Sequence, residues 1–185
     1  MKPTQHRGAS AIYVFNRTSA LLMDVAEGTY GQLYDHFRTK EGVSSVLNRT
    51  RVILITHIHG DHAFGIYKIL LERDRAQSEL AEEARTPVYC VMPQIMLASV
   101  EYFIANEVSR PDLIKLIASG ELNPEPVDFY NHQHAVDPSV PYEQREQVSN
   151  ETCPRKSKEE AIQTLTAFNP TEKPLVAEMY AVMSE

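Results

Sequence analysis

Apolar positions along the first 120 residues change spacing repeatedly, and each change marks an element. Ser10-Ala11-Ile12-Tyr13-Val14-Phe15 is rich in β-branched and aromatic residues and predicts a strand. Asn16-Arg17-Thr18 is a turn and Ser19 to Asp24 a second strand, so the pair predicts a hairpin. Thr29-Tyr30-Gly31-Gln32 fits a capping box. Tyr30, Leu33, Tyr34 and Phe37 share one helical face, and Gly42 ends or interrupts that helix. Arg51 to Thr56 is nearly continuous in apolar residues, the mark of a strand buried on both faces, and it runs straight into His57-Ile58-His59-Gly60-Asp61-His62. A helix follows with Ala63, Ile66, Tyr67 and Leu70 inward, and the charged stretch Glu72 to Arg85 reads as a solvated helix end and loop. Pro87 to Met92 is another buried strand. Pro93 suits a first helical turn, with Met96, Val100, Phe103 and Ile104 as the packed face, and Pro111 to Ile117 predicts a short helix stopped by Gly120.

Strands alternating with helices imply an α/β layer arrangement. Beyond Gly120 the character changes. No glycine occurs from Glu121 to Glu185, and the stretch to Lys156 is polar and proline-rich, as in a long loop. Ser157-Lys158-Glu159-Glu160 starts one more helix, running through Phe168. The expected organisation is an α/β domain over residues 1–120, then a polar loop and helical tail over 121–185.

Composition narrows the function class. The 43% apolar and 23% charged residues are ordinary for a soluble globular protein. No run approaches the roughly 20 apolar residues of a membrane span, and Met1 to Arg7 carries neither a secretory signal nor a transit peptide. Cys90 sits in an apolar run far from Cys153, which favours a buried thiol over a disulfide and an intracellular protein over a secreted one. The formal charge of −7 argues against a general nucleic-acid coat, which needs clustered Lys and Arg. It leaves room for a nuclease that meets phosphates through metal ions and a small basic patch.

The chemistry gathers after the Arg51–Thr56 strand, where three histidines and an aspartate fall within six residues. Imidazole nitrogen and carboxylate oxygen are the donors a hydrolytic Zn²⁺ prefers. The i, i+2 spacing of His57 and His59 in a turn lets both rings converge on one ion, while Asp61 and His62 point at a second position beside it. Two cations sharing a site activate water and steady the attacking and leaving oxygens, which phosphodiester cleavage needs. The alternative is that these histidines only cap a strand end.

Thr56-His57-Ile58-His59-Gly60-Asp61-His62, followed by Gly65, resembles the signature of the metallo-β-lactamase superfamily. Asp24 with the turn Ala26-Glu27-Gly28-Thr29 and the pair Gln32-Leu33 is similar to the ribonuclease Z family within it, with Ala26 replacing the first glycine of that turn. The resemblance covers residues 3 to about 118. It implies the N-terminal part of an αββα sandwich, two Zn²⁺ ions, and an endoribonuclease that removes the 3′ trailer from transfer-RNA precursors. His57 and His59 would hold one ion and His62 the other, while Asp61 would bind metal and take the proton from the attacking water. Asp24 would support the metal loop from behind, unless it merely ends a strand. Pro3 and Arg7 match a family loop near the substrate's 3′ end, although a disordered tail fits this segment equally well. The resemblance also implies a nuclear or mitochondrial protein, with the cytoplasm open.

Two zinc ions need about eight coordination positions, and the motif supplies four. The remaining histidines, His132 and His134, lie in polar surroundings and read as a surface loop. The expectation is therefore an incomplete sandwich with one bare sheet face, weak in zinc affinity and nuclease activity by itself. Another hydrolase of the superfamily, a phosphodiesterase or thioester hydrolase, stays open, and so does a non-catalytic remnant or binding module.

Overall fold

A computed structural model of the chain describes residues 9–122 and 174–184. Residues 9–121 and 174–184 belong to one compact unit. Arg7, His132, His134, Cys153 and the helix expected over residues 157–168 lie outside the described residues.

Five strands form one sheet in sequence order: β1 (Ile12–Phe15), β2 (Ala20–Met23), β3 (Thr50–Leu54), β4 (Val88–Met92) and β5 (Ile114–Ala118). β1 pairs antiparallel with β2 as the predicted hairpin, and the other neighbours are parallel. The parallel pairs are joined by helices: α1 (Thr29–Phe37) and α2 (Lys40–Arg49) before β3, α3 (Gly60–Ala63) and α4 (Ile66–Ser78) before β4, and α5 (Gln94–Glu107) before β5. Every crossover steps to the next strand in the same direction. Because such connections are right-handed, the helices must fall on one face. Accordingly, Leu22, Ile53, Ile55, Val88, Cys90 and Met92 from the strand segments share a single core with Leu47, Ile66, Leu70 and Val100 from the helices. Burial pushes the Cys90 thiol up to about 12, so it stays protonated and behaves as a small apolar side chain.

The opposite face is covered unevenly. α6 (Pro174–Ser184) packs against β3 and β5, with Val176 and Met179 buried. The Tyr89 hydroxyl, on the face alternate to Val88 and Cys90, donates to Glu178 Oε2 at 3.2 Å. At the hairpin end, Ile12 and Val14 remain 56% and 55% exposed.

Several sequence expectations are corrected. Thr29 is not a capping residue: Gly28 takes the cap position with φ of 87°, and the Thr29 hydroxyl donates to Ala26 O at 2.8 Å. The helix ends at Arg38 in a left-handed turn, not at Gly42. Gly42 instead lies in the first turn of α2, where its N–H donates to Thr39 Oγ1 at 3.0 Å. Pro111–Leu113 is a single 3₁₀ turn, and the residues after it form β5 rather than a helix. Finally, Glu72 to Arg85 is not simply solvated, since Arg73, Asp74 and Gln77 are buried.

Candidate metal centre

Loops leaving the carboxyl ends of parallel strands share one edge of the sheet, where α/β folds place their chemistry. Met23 stands opposite Leu54 in the parallel β2–β3 ladder, so Asp24 and the Thr56–His62 turn emerge side by side. The Asp24 N–H prolongs the ladder by donating to Leu54 O at 2.8 Å. Asp24 then adopts φ of 54°, a left-handed conformation that aspartate tolerates better than most residues. Its carboxylate bridges to the exit of β3. Oδ1 accepts from the Thr56 N–H at 2.9 Å and from the Thr56 hydroxyl at 2.8 Å. Oδ2 lies 2.8 Å from His62 Nδ1.

Backbone bonds fasten the two loops together. Val25 N–H donates to His62 O at 2.6 Å, and Gly65 N–H donates to Val25 O at 2.8 Å. Gly65 is required by this approach, because a Cβ there would fall 2.0 Å from Ala26 O. Within the motif, the His62 and Ala63 N–H groups both donate to His59 O, at 2.9 and 3.0 Å. That half-turn fixes the order in which the side chains leave the backbone.

The structure brings Asp24, His57, His59, Asp61 and His62 into one cluster. The His57 ring lies 4.0 Å from the His62 ring and 4.7 Å from the His59 ring, centroid to centroid. Asp61 Oδ2 is 3.8 Å from His62 Nε2. Burial would raise the Asp24 carboxyl, but hydrogen bonds from His62 and from the Thr56 backbone and hydroxyl outweigh it and hold the group below the ordinary carboxylate value. An ionised Asp24 only accepts, so His62 carries its proton on Nδ1 and leaves the Nε2 lone pair for another partner.

That arrangement suits a metal ligand, whose second ring nitrogen is normally anchored by a carboxylate or carbonyl. The donor set, imidazole nitrogen and carboxylate oxygen, also fits zinc. Among the described residues, however, no three His, Cys, Asp or Glu side chains form a group able to hold one ion. Sequence reasoning passed over one contributor here. Thr56 was visible only as the residue before the first histidine, yet it touches both Asp24 and His57, the latter at 2.9 Å from Nδ1.

No family model matches the chain. Among curated proteins, a zinc phosphodiesterase ELAC protein 2 of Macaca fascicularis is 34% identical over 102 residues, which is 55% of this chain and 12% of the relative. The mitochondrial tRNase Z TRZ4 of Arabidopsis thaliana is 39% identical over 84 residues, 44% of this chain and 9% of the relative. Among solved structures, a long form RNase Z from yeast superposes with a TM-score of 0.61 at 18% identity, covering 98% of this chain and 22% of that one. The fold is thus α/β, part of the metallo-β-lactamase sandwich. The matched segments span only about a tenth of the length of these curated relatives.

Proposed function

We propose, from the homology to ribonuclease Z over about half of the chain, that it serves zinc-dependent hydrolysis of phosphodiester bonds in precursor transfer RNA. One observation carries the reading most directly. Asp24 anchors His62 through Nδ1 at 2.8 Å and directs Nε2 away, with the His57 ring next to that of His62 and the His59 ring next to that of His57. Such anchoring has a use when Nε2 holds a cation.

In this reading His57 and His59 hold one zinc ion, and His62 with Asp61 holds a second. Dividing the donors between two ions asks no more than two side chains of this motif for either. When bound, paired zinc ions stabilise charge on the phosphate and ease the ionisation of water. Asp61 accepts the proton of the attacking water at its carboxylate. Asp24 moves no proton; it keeps the histidine orientation fixed and offsets part of the cationic charge. The mitochondrial name of the Arabidopsis relative supports a mitochondrial address. No helix among the described residues is long and apolar enough to cross a membrane.

Hydrolysis of other phosphodiesters is the second reading, favoured by the printed name zinc phosphodiesterase. The test uses the purified full chain. Its zinc content is measured by atomic emission, and its activity is assayed on a precursor transfer RNA and on a simple aryl phosphodiester. Because the motif supplies four of about eight coordination positions, the proposal expects zinc taken up weakly and lost in His57→Ala and His62→Ala, with only slow cleavage of the precursor. Zinc content unaffected by both substitutions would refute the metal assignment, and turnover of the aryl ester alone would favour the second reading.

A further inference from the structure

We infer that Thr56 is a positioning residue: its hydroxyl carries the hold of Asp24 across to His57, so that a single carboxylate sets the tautomer of two imidazoles. The consequence for zinc rests on the proposed metal centre, but the hydrogen-bond relay itself does not.

The Thr56 hydroxyl lies 2.8 Å from Asp24 Oδ1, 3.1 Å from Asp24 Oδ2 and 2.9 Å from His57 Nδ1. A hydroxyl has one proton to donate and two lone pairs to accept with. Asp24 is an acceptor on both oxygens, and Oδ2 already takes the His62 Nδ1–H. The Thr56 proton therefore goes to Asp24, and the remaining contact at 2.9 Å is favourable only if His57 Nδ1 bears a hydrogen and donates it to Thr56 Oγ1. Placing the His57 proton on Nε2 would set two lone pairs against each other at that distance, or pull the hydroxyl off the carboxylate.

The position of the hydroxyl is itself over-determined. The Thr56 backbone N–H donates to the same Oδ1 at 2.9 Å, so the carboxylate grips residue 56 at two points and the rotamer cannot swing away without losing one. Hydrogen bonds among charged and neutral groups in such a chain polarise one another. His62 is thus fixed directly and His57 at one remove, and both present an unprotonated Nε2. Serine at position 56 would retain the relay, and valine would fill the same space without it.

The tautomers are read from long-range proton–nitrogen spectra of the metal-free, ¹⁵N-labelled full chain, at a pH well above the ordinary histidine value of about 6.5. The relay expects His57 and His62 both as Nδ1–H in the wild type. Thr56→Val shifts His57 toward Nε2–H and leaves His62 unchanged, whereas Thr56→Ser keeps the wild-type pattern for both. Zinc affinity, measured by competition with a chromophoric chelator, falls by about 10- to 100-fold in Thr56→Val and recovers in Thr56→Ser. A wild-type His57 found as Nε2–H overturns the inference without recourse to any variant, as does a folded Thr56→Val protein whose His57 stays Nδ1–H. If the tautomer pattern holds while the wild type binds no zinc, the metal centre fails and the relay stands.

Discussion

At the scale of single residues, the site depends on two loops being closer than side chains usually allow. Gly65 sits where the turn after β2 meets the start of α4, and its hypothetical Cβ would overlap the Ala26 carbonyl at 2.0 Å. Alanine there must push the Asp24 loop away from the histidine turn, breaking the bond from Gly65 N–H to Val25 O. Overpacking against backbone costs about 1–3 kcal/mol or more. The expected outcome for Gly65→Ala is an unfolding free energy, measured by urea titration, lowered by that amount and weaker zinc binding, because the shift separates Asp24 from His62. Unchanged stability would mean that the loops part without penalty. At this scale the sequence was most informative. His57, His59, Asp61 and His62 fall within six residues, so their clustering needs no long-range contact to be seen. Asp24 lies 38 positions from His62 and was legible only through its resemblance to a known pattern. Thr56 was legible as a position and not as a role, since a hydroxyl's partners depend on the rotamer that folding selects.

At the scale of elements, charge misled the reading where packing overrode it. α4 carries Glu72, Arg73, Asp74 and Arg75 in succession, a string that suggests a solvated face. Arg73 is nevertheless 2% exposed. Burial pulls its guanidinium down to about 10, and it donates to Thr50 O at 3.3 Å and Thr86 O at 2.6 Å. Asp74 accepts the Ser109 and Arg110 N–H groups at 3.0 and 2.9 Å. These side chains satisfy backbone ends of β3 and of the connections before β4 and β5, which no local pattern could reveal. Arg73→Leu leaves the two carbonyls without their donor, at about 1–3 kcal/mol for each buried group left unpaired, and thermal unfolding should register the loss. Glu72 on the same helix is held by Lys68 Nζ and Arg75 Nη1, each at 2.6 Å. Burial would raise its carboxyl, but the Lys68 bond and charge, then Arg75 and Tyr30, bring it below the ordinary value. A depressed carboxylate stabilises the fold above its unfolded pKa of about 4.3, and that contribution disappears as pH falls through the lower folded value. Glu72→Gln should therefore be less stable than wild type near neutrality and converge with it in acid; a gap independent of pH would sink the assignment. β5 was misread for a related reason. Ile114, Leu116 and Ile117 suit either period over so short a run, and pairing with β4 decides it.

At the scale of the whole molecule, topology and charge each constrain what the site can engage. Sequential parallel strands send every crossover helix to one face, so the other face needs cover from outside that pattern. α6 supplies it over β3 and β5 and not at Ile12 and Val14. The bare face expected from the incomplete sandwich that the resemblance implies is corrected where α6 packs over β3 and β5. The covering helix was not legible at Pro174–Ser184, because the capping signal at Ser157-Lys158-Glu159-Glu160 draws the expected helix to residues 157–168. Charge acts at longer range. A protein that grips RNA along its backbone releases a counterion for each phosphate neutralised, with a slope of about −0.7 per contact on single strands. With a net charge of −7, long-range attraction to RNA is weak, so the proposed function makes the proposed zinc centre the main point of attraction. Binding of a precursor transfer RNA to the zinc-loaded chain should then depend only shallowly on salt, with a log–log slope no steeper than about −2, or roughly three phosphates. It should also vanish when zinc is removed by a chelator. A steep slope that persists without zinc would place the RNA contact on basic side chains instead, and would separate substrate capture from the histidine cluster.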